Sequence, residues 1–314
     1  MYRKKKIALV IPAHNEERLI GPTLDAVPDL IDAVFVVDDC SSDHTAAIVA
    51  EKSRGDERIG LLQHGENRGV GQSIITGYEA SSKQDHDVTV VVGGDNQMPM
   101  EQIVDLLDPI IDGRADYTKG NRFMMPEVGL EDMPWTRFFP NALISIMTKV
   151  ASGYYKIYDV VDGFTAITKR AIDLIDWNKA WKGYGYPMDF MVRLNAYGLK
   201  VLDVPRRAIY LAGERQSQIK GGSYALRVAP MLVRGFFWRL FSKYLVRDFH
   251  PLFFFYLFGM FLLPLGVAFG VYLVYLQVIG VGVSGPRSVV CALMIIMGIQ
   301  FLLFAMLYDM EESQ

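Results

Sequence analysis

Short apolar runs alternate with amphipathic stretches along the first third of the chain. Strand-like runs lie at Ile7–Ile11, Ala33–Val37, Ile59–Leu62 and Val88–Val92, with Tyr117–Lys119 a weaker fifth. Between them, Glu17–Ala26, Thr45–Lys52, Val70–Ser81 and Glu101–Ile111 place apolar residues at helical spacing. Strands alternating with helices predict parallel βαβ units with helices on both faces of a sheet, an α/β architecture. In such sheets ligands gather beyond the carboxyl ends of the strands. The polar residues that close the apolar runs are therefore the first candidates for a site.

Beyond residue 122 the alternation breaks. Arg137–Ser152 reads as an amphipathic helix after the turn at Pro134, followed by a strand at Phe164–Thr168, a helix at Met188–Tyr197 and a strand at Val201–Val204. From Gly222 to Arg247, Leu226, Met231, Leu232, Phe236, Phe237, Trp238, Leu240 and Tyr244 are interleaved with Arg227, Arg234, Arg239, Lys243 and Arg247. That mixture suits one or two helices lying in a membrane interface, apolar side down and basic side toward lipid phosphates.

No charged residue occurs from Pro251 to Pro286, or from Ser288 to Tyr308. A helix needs about 20 apolar residues to cross a bilayer, so two transmembrane helices are predicted near Leu252–Gln277 and Ser288–Tyr308. The loop between them carries only Arg287, whereas five basic residues precede the first span. Basic residues stay on the cytoplasmic side, which puts the large N-terminal part and both termini in the cytoplasm of a cell membrane or an ER-type membrane. The expected division is an α/β domain over residues 1–221, interfacial helices over 222–249 and a two-helix hairpin over 250–314. The short hairpin leaves surface for a homo-oligomer.

Composition narrows the reading further. Hydrophobic residues make up 51% of the 314 and the net charge is −3, so nothing points to nucleic acid. Cys40 stands in a polar turn and Cys291 in a predicted span, which implies neither a disulfide nor a cysteine-based metal site. The start, Met1 to Lys6, runs directly into a strand too short for the core of a cleavable signal. Gly69-Val70-Gly71 lacks the third glycine of a dinucleotide loop, Ile74 standing in its place. The histidines show no metal-ligand spacing.

The first strand ends in Pro12-Ala13-His14-Asn15-Glu16-Glu17. The second ends in Asp38-Asp39-Cys40-Ser41-Ser42-Asp43, and the fourth in Gly93-Gly94-Asp95-Asn96-Gln97. Asn67-Arg68-Gly69, with Gly77 and Ala80, follows the third. In this order the chain resembles the family 2 glycosyltransferases, whose usual patterns are I-P-x-x-N-E, V-V-D-D-x-S-x-D and D-x-D-x-Q, over about residues 7–220. The resemblance implies a GT-A fold, a mostly parallel Rossmann-like sheet, and inverting transfer of a sugar from a UDP- or GDP-sugar. It implies that Asp95 and Gln97 contact a divalent metal, Mg2+ or Mn2+, or the metal-bound diphosphate. It places Asp38 and Asp39 on the nucleobase and ribose, with Pro12, Asn15, Glu16 and Arg68 around them. The chemistry agrees: a diphosphate leaving group gathers negative charge that a cation on hard oxygen ligands can offset. Asp43, just before a helix, reads as a cap or turn former. One departure stands out, Gly93 replacing the first acid of the usual triplet.

Further segments look like those of the branch that uses polyprenyl (dolichyl or undecaprenyl) phosphates. Gly120-Asn121-Arg122 resembles that branch's G-S-R, and Arg137 follows Asp132-Met133-Pro134-Trp135-Thr136; Arg122 and Arg137 would seat the acceptor phosphate. A planar guanidinium bridges two phosphate oxygens, which suits that acceptor. A phosphate monoester is already largely dianionic at neutral pH, so the acceptor needs no general base. Asp162-Gly163-Phe164 resembles the sugar-site segment, and Asp189, after Pro187, is either a sugar contact or a helix N-cap. Arg215 and Lys220 match the mobile loop over the diphosphate. Two alternatives stand beside this reading. One is another lipid glycosyltransferase or a polysaccharide synthase, against which the Q-x-x-R-W signature of processive synthases is missing. The other is an inactive nucleotide-sugar-binding scaffold, suggested by Gly93.

Overall fold

The computed structural model describes residues 1–124, 135–209 and 221–312, with the side chains at 135–141, 221–223 and 225 excepted. The chain forms two compact units, Met1–Phe236 and Phe237–Gln314.

The first unit is built on seven strands: β1 (Ile7–Ala13), β2 (Ala33–Asp38), β3 (Ile59–Gln63), β4 (Val88–Val91), β5 (Tyr117–Asn121), β6 (Thr165–Thr168) and β7 (Val201–Pro205). They lie in the order β3-β2-β1-β4-β6-β5-β7. β1 pairs in parallel with β2 and β4, β2 with β3, and β5 with β7. Among the described residues only β6 runs antiparallel, between β4 and β5. The central strands are apolar on both faces because helices cover both faces. Ile7, Leu9, Ile11, Val34, Val36, Val88 and Val90 face Ile20 and Leu24 of α1 (Ile20–Asp25), Val49 of α2 (Thr45–Gly55) and Ile103 to Ile110 of α4 (Ile103–Ile111). Ala8, Val10, Phe35, Val37 and Val91 face Ile74, Ile75 and Tyr78 of α3 (Val70–Lys83), with α6 (Lys169–Leu174) and α7 (Tyr186–Ala196) beside it. The period of two along each strand divides the residues between these faces.

All five strands and four helices expected up to residue 120 are present, with ends shifted by a few residues. α5 (Trp135–Ser152) contains the expected amphipathic stretch. α6 was not legible: it has six residues, and its signal is the Thr168 hydroxyl accepting from Ala171 N at 3.1 Å. α7 begins two residues earlier than expected, with Gly185 as its N-cap and Pro187 in its first turn. Asp189 is therefore inside the helix, and the N-cap alternative for it is corrected. Close packing of α3 on β1 depends on Gly77, where a Cβ would stand 2.3 Å from Val10 Cγ1.

α8 (Gly221–Arg239) leads into a π-helical segment, Leu240–Arg247, and then α9 (Leu252–Val278) and α10 (Gly285–Glu312). The last two helices are long and apolar enough to cross a membrane. Small residues let them approach: a Cβ on Gly259 would lie 2.7 Å from Leu302 Cγ, one on Gly266 3.0 Å from Ile295 N, and one on Gly298 2.7 Å from Leu263 N. The contacts run 259 to 302 and 266 to 295, so the helices are antiparallel. At the end of the hairpin Asp309 is fully buried and accepts from Arg239 Nη1 and Nη2 at 2.7 Å each. Tyr244 and Tyr256 hydroxyls complete the carboxylate's shell at 2.7 and 3.3 Å.

A buried guanidinium stripped of its carboxylate is costly, whereas an apolar replacement of the whole pair is close to neutral. Asp309→Ala should destabilise the second unit by about 3–5 kcal/mol, read as a lowered melting temperature of the detergent-solubilised chain. Arg239→Met with Asp309→Leu should restore most of the loss, and an equal loss in the double variant would contradict the pairing.

Candidate active site

The carboxyl ends of β1 and β2 make the first wall. The parallel register sets Ala13 opposite Asp38, and Asp39 N donates to Ala13 O at 2.8 Å. The chain leaves the two strands through Asn15 (φ 56°) and Cys40 (φ 59°), both in the left-handed region. Asn15 Oδ1 accepts from Ser42 N at 2.8 Å, Asn15 N donates to Ser41 Oγ at 2.9 Å, and Glu16 N to Thr45 Oγ1 at 2.8 Å. The first motif is thus laced to the second, with Pro12 and Glu16 half-buried at the seam. Asp43 behaves as a turn former, accepting from Thr45 N, Thr45 Oγ1 and Glu17 N. Burial pushes its carboxyl up, but these bonds outweigh burial and hold it below the usual range.

Asp38 and Asp39 are both nearly shut from solvent, and they are held differently. Asp39 Oδ1 accepts from Arg68 N at 2.8 Å and lies 2.7 Å from His64 Nδ1, while Oδ2 accepts from Gly69 N at 2.7 Å. His64 Nε2 reaches Thr76 Oγ1 of α3 at 3.0 Å. Gly69 adopts φ +88°, and a Cβ there would stand 2.6 Å from the Lys182 carbonyl oxygen, so only glycine fits this start of α3. Asp39 consequently braces the 64–69 loop. Among the described residues Asp38 has only longer contacts, from Ser41 N at 3.3 Å and Gln63 Nε2 at 3.5 Å, and retains more acceptor capacity for a ligand. The Arg68 side chain lies outside the brace, exposed and 3.5 Å from Glu66.

Asp95 follows β4. Its Oδ1 accepts from Gln97 N at 3.2 Å across the left-handed Asn96 (φ 53°). Burial pushes its carboxyl up, opposed by backbone hydrogen bonds and by the charge of Arg206. Gly93 has a steric meaning here: a Cβ would come 3.0 Å from Asp95 Oδ1, so the carboxylate of Asp95 fills the space a side chain at 93 would take. Asp95 and Gln97 offer one carboxylate and one amide oxygen. Among the described residues no group of three or more His, Cys, Asp or Glu could hold a metal ion. A divalent cation would fit only by completing its shell with phosphate oxygens and water, as Mg2+ commonly does.

The antiparallel β6 brings the second wall together. Val91 of β4 and Lys119 of β5 both pair with Thr165, so the start of β6 lies beside the ends of β4 and β5. Asn121 pairs with Pro205 of β7. This juxtaposition gathers Arg122, Asp159, Asp162, Asp203 and Arg206 around the buried Lys119. Arg122 donates to Asp159 through Nε at 2.7 Å and Nη2 at 3.0 Å, and its Nε lies 3.5 Å from Asp162 Oδ2. Asp162 Oδ2 accepts from Arg206 Nε at 2.6 Å, Oδ1 from Phe164 N at 2.7 Å, and its carbonyl from Lys119 Nζ at 2.6 Å. Asp203 Oδ2 accepts from Asn121 Nδ2 and Tyr158 N at 2.6 and 2.8 Å, while its buried Oδ1 has no partner among the described residues. Burial pushes the Lys119 ammonium down and the Asp203 carboxyl up. It also pushes Asp159 up, but the Arg122 bonds and the charges of Lys119 and Arg122 outweigh it and hold Asp159 below the usual range.

Asp189 Oδ2 accepts from Trp181 N at 2.9 Å and Arg193 Nε at 2.7 Å, so that oxygen braces the loop whose Lys182 carbonyl accepts from Gly71 N at 2.7 Å. Arg137 belongs to α5 but its side chain lies outside the described residues, as do Arg215 and Lys220 altogether. Lys119, Asp159, Asp203, Arg206 and His64 were not foreseen. Lys119 had only a weak signal, a cation within a predicted strand; the others gain meaning only from partners distant in the chain.

Asp39→Asn should loosen the brace, because an amide nitrogen cannot accept from the N–H groups of Arg68 and Gly69. Hydrogen exchange over residues 64–72 should accelerate by about tenfold or more; unchanged exchange would show that the loop stands without Asp39.

A family model described as glycosyl transferase family 2 matches residues 8–175. The UDP-N-acetylglucosamine--dolichyl-phosphate N-acetylglucosaminyltransferase of Methanococcus voltae is 27% identical over 219 residues, 66% of this chain and 86% of that protein. The undecaprenyl-phosphate mannosyltransferase of Micrococcus luteus is 28% identical over 207 residues, 64% of this chain and 82% of that protein. Glucosyl-3-phosphoglycerate synthase from Mycobacterium tuberculosis, solved with Mn2+, UDP-glucose and phosphoglyceric acid, superposes with a TM-score of 0.54 at 16% identity, over 74% of this chain and 80% of that one. That likeness shows the fold, and the mixed, mostly parallel sheet is the GT-A arrangement the motifs implied. Over more than half of its length the chain matches one family model, and it belongs to glycosyl transferase family 2 as a glycosyltransferase.

Proposed function

We propose that the chain transfers a sugar from a nucleoside-diphosphate sugar to a polyprenyl phosphate at the cytoplasmic face of a membrane. The observation that carries this reading is the Arg122–Asp159 fork set beside the β4 end that presents Asp95. A guanidinium fixed on a buried carboxylate is pre-oriented to take phosphate oxygens. The two lipid-phosphate relatives support the acceptor class, and α9 and α10 support residence in the membrane. The Arg239–Asp309 pair ties the stretch before the first span to the end of the second, as expected of a hairpin whose ends share one side.

Asp38, with Pro12, Asn15, Glu16 and Arg68 around it, holds the nucleoside, and Asp39 keeps the loop below it in place. Asp95 and Gln97 would hold Mg2+ or Mn2+, which offsets charge on the diphosphate. Arg122, with Arg137 from α5, seats the acceptor phosphate, while Arg215 and Lys220 cover the diphosphate. Asp162 and Asp189 are assigned to the sugar. An acceptor phosphate oxygen attacks the anomeric carbon, forming the new C–O bond as the bond to the diphosphate breaks. The nucleoside diphosphate leaves with the electron pair, and the anomeric centre inverts. No proton is removed, so positioning two anions is the enzyme's task.

The purified chain in lipid nanodiscs should release nucleoside diphosphate from one member of a UDP- and GDP-sugar panel only when undecaprenyl or dolichyl phosphate is present. The lipid product should gain one hexose mass. Transfer to the polyprenol lacking phosphate would sink the acceptor assignment, and binding without turnover would favour a scaffold. Asp95→Asn should lower kcat by about a hundredfold or more without altering membrane insertion. Arg122→Lys, which keeps charge but loses the fork, should raise the acceptor's KM more than the donor's; equal effects would count against its role.

A further inference from the structure

Two basic side chains of the second wall, Lys119 and Arg206, have no part in the scheme above, and Lys119 is fully buried. Arg206 directly follows β7, and its N–H donates to Asn121 O at 3.2 Å, extending the β5–β7 ladder by one residue. Its side chain lies flat across β5 because residue 120 is glycine; a Cβ there would come 2.8 Å from Arg206 Cδ. Arg206 is buried, 6% exposed as a residue, and its guanidinium donates through Nε to Asp162 Oδ2 at 2.6 Å and through Nη1 to Arg207 O at 3.1 Å. Nη2 has no hydrogen-bond partner among the described residues, and it is not among the atoms sealed from solvent. Asp162 is itself shared with Arg122 at 3.5 Å, so one carboxylate serves two guanidiniums.

The strand ends define what lies near that side chain. The Met98 methyl would contact a Cβ on Gly93 at 3.7 Å and one on Gly163 at 3.5 Å, so the 93–97 turn and the 162–164 segment meet across one side chain. Arg206 is held on the second of these segments, and its charge is felt by Asp95 on the first. Gly93 supplies no carboxylate at this edge, which lowers its capacity to recruit cations. A fixed guanidinium at the same edge supplies positive charge that needs no recruitment.

We propose that Arg206, gripped by Asp162 and laid over Gly120, is a further anion-binding residue whose Nη2 takes a phosphate oxygen of the reacting pair at the Asp95 edge. The inference rests on the glycosyl-transfer reading. The phosphate oxygen belongs either to the donor's diphosphate or to the acceptor's monoester, and the test separates the two. Arg206 also fixes Asp162, so a purely structural role must be told apart from binding.

The full-length chain, Arg206→Gln and Arg206→Lys are titrated with UDP and with GDP by calorimetry, in EDTA and in Mg2+, with uridine and guanosine as controls. The KM for polyprenyl phosphate is measured alongside. In EDTA, Arg206→Gln should weaken the nucleoside diphosphate that the parent binds by about ten- to hundredfold, with nucleoside affinity level and Arg206→Lys recovering part of the loss. A level diphosphate affinity with a comparably raised acceptor KM would assign the oxygen to the acceptor. Variants that fold and match the parent in both quantities overturn the inference. Should Gln at 206 prevent folding by leaving Asp162 unpaired, Arg206→Gln with Asp162→Asn replaces the ion pair by an amide pair and carries the same readout. A parent that binds neither UDP nor GDP and shows no turnover would sink the glycosyl-transfer reading together with this inference, whereas equal binding by parent and variants would sink the inference alone.

Discussion

Two guanidiniums at one edge of the sheet are held by carboxylates that solvent barely reaches, and an ammonium beside them by a backbone carbonyl. Lys119, Arg122 and Arg206 converge on Asp159 and Asp162, and a buried charge is tolerable only when it is paired and hydrogen-bonded. The pairing fixes the guanidiniums before any ligand arrives. An enzyme that brings a diphosphate and a phosphate together must offset anionic repulsion, and pre-oriented cations do so without reorganising as the reaction proceeds. The convergence itself depends on the reversed strand. Had β6 run parallel, its start would not lie beside the ends of β4 and β5, and Asp159 and Asp162 would have no route to Arg122.

The first wall follows a different logic. Between β1 and β2 the carboxylates act through neutral donors: Asp39 on the N–H groups of Arg68 and Gly69, Asp43 on Thr45. Such bonds shape turns and leave little net positive charge, which suits a nucleoside better than a phosphate. On the proposed reading the two walls would divide the substrate between them, with Asp95 at the seam. Gly93 belongs to that seam as well, because the Asp95 carboxylate occupies the space beside it.

Elements whose identity depends on local pattern were legible in the chain. Ile7–Ile11 and Ala33–Val37 are apolar runs closed by polar residues, and their motifs sit where parallel sheets place ligands. The Gly69-to-Gly77 segment carried its meaning in residue type, as a left-handed start and a close helix–strand approach require glycine. The direction of β6 was not legible, since Thr165–Thr168 pairs equally well either way by composition. Nor was the ion-pair scheme. Arg122 finds Asp159 and Asp162 finds Arg206 at separations of 37 and 44 residues, and no window of sequence contains both partners. Asp189 read as either a sugar contact or a cap; it lies inside α7, and one of its oxygens braces Trp181 and Arg193 nearby in the chain. In the second unit the apolar runs announced the spans, while the Arg239–Asp309 pair, 70 residues apart, did not announce itself.

The claim that joins these observations is that the Arg122 fork and the Asp95 turn hold two different phosphate groups of one reacting pair. A structure of the chain in a lipid nanodisc, with its nucleoside diphosphate and a short-chain polyprenyl phosphate both bound, tests it most directly. The account predicts the lipid phosphate at hydrogen-bond distance from the Arg122 guanidinium, and the diphosphate along the edge from Asp95 to Gln97 with the nucleoside against Asp38. A lipid phosphate seated away from Arg122, or a nucleoside diphosphate bound off the carboxyl ends of β1, β2 and β4, would contradict it.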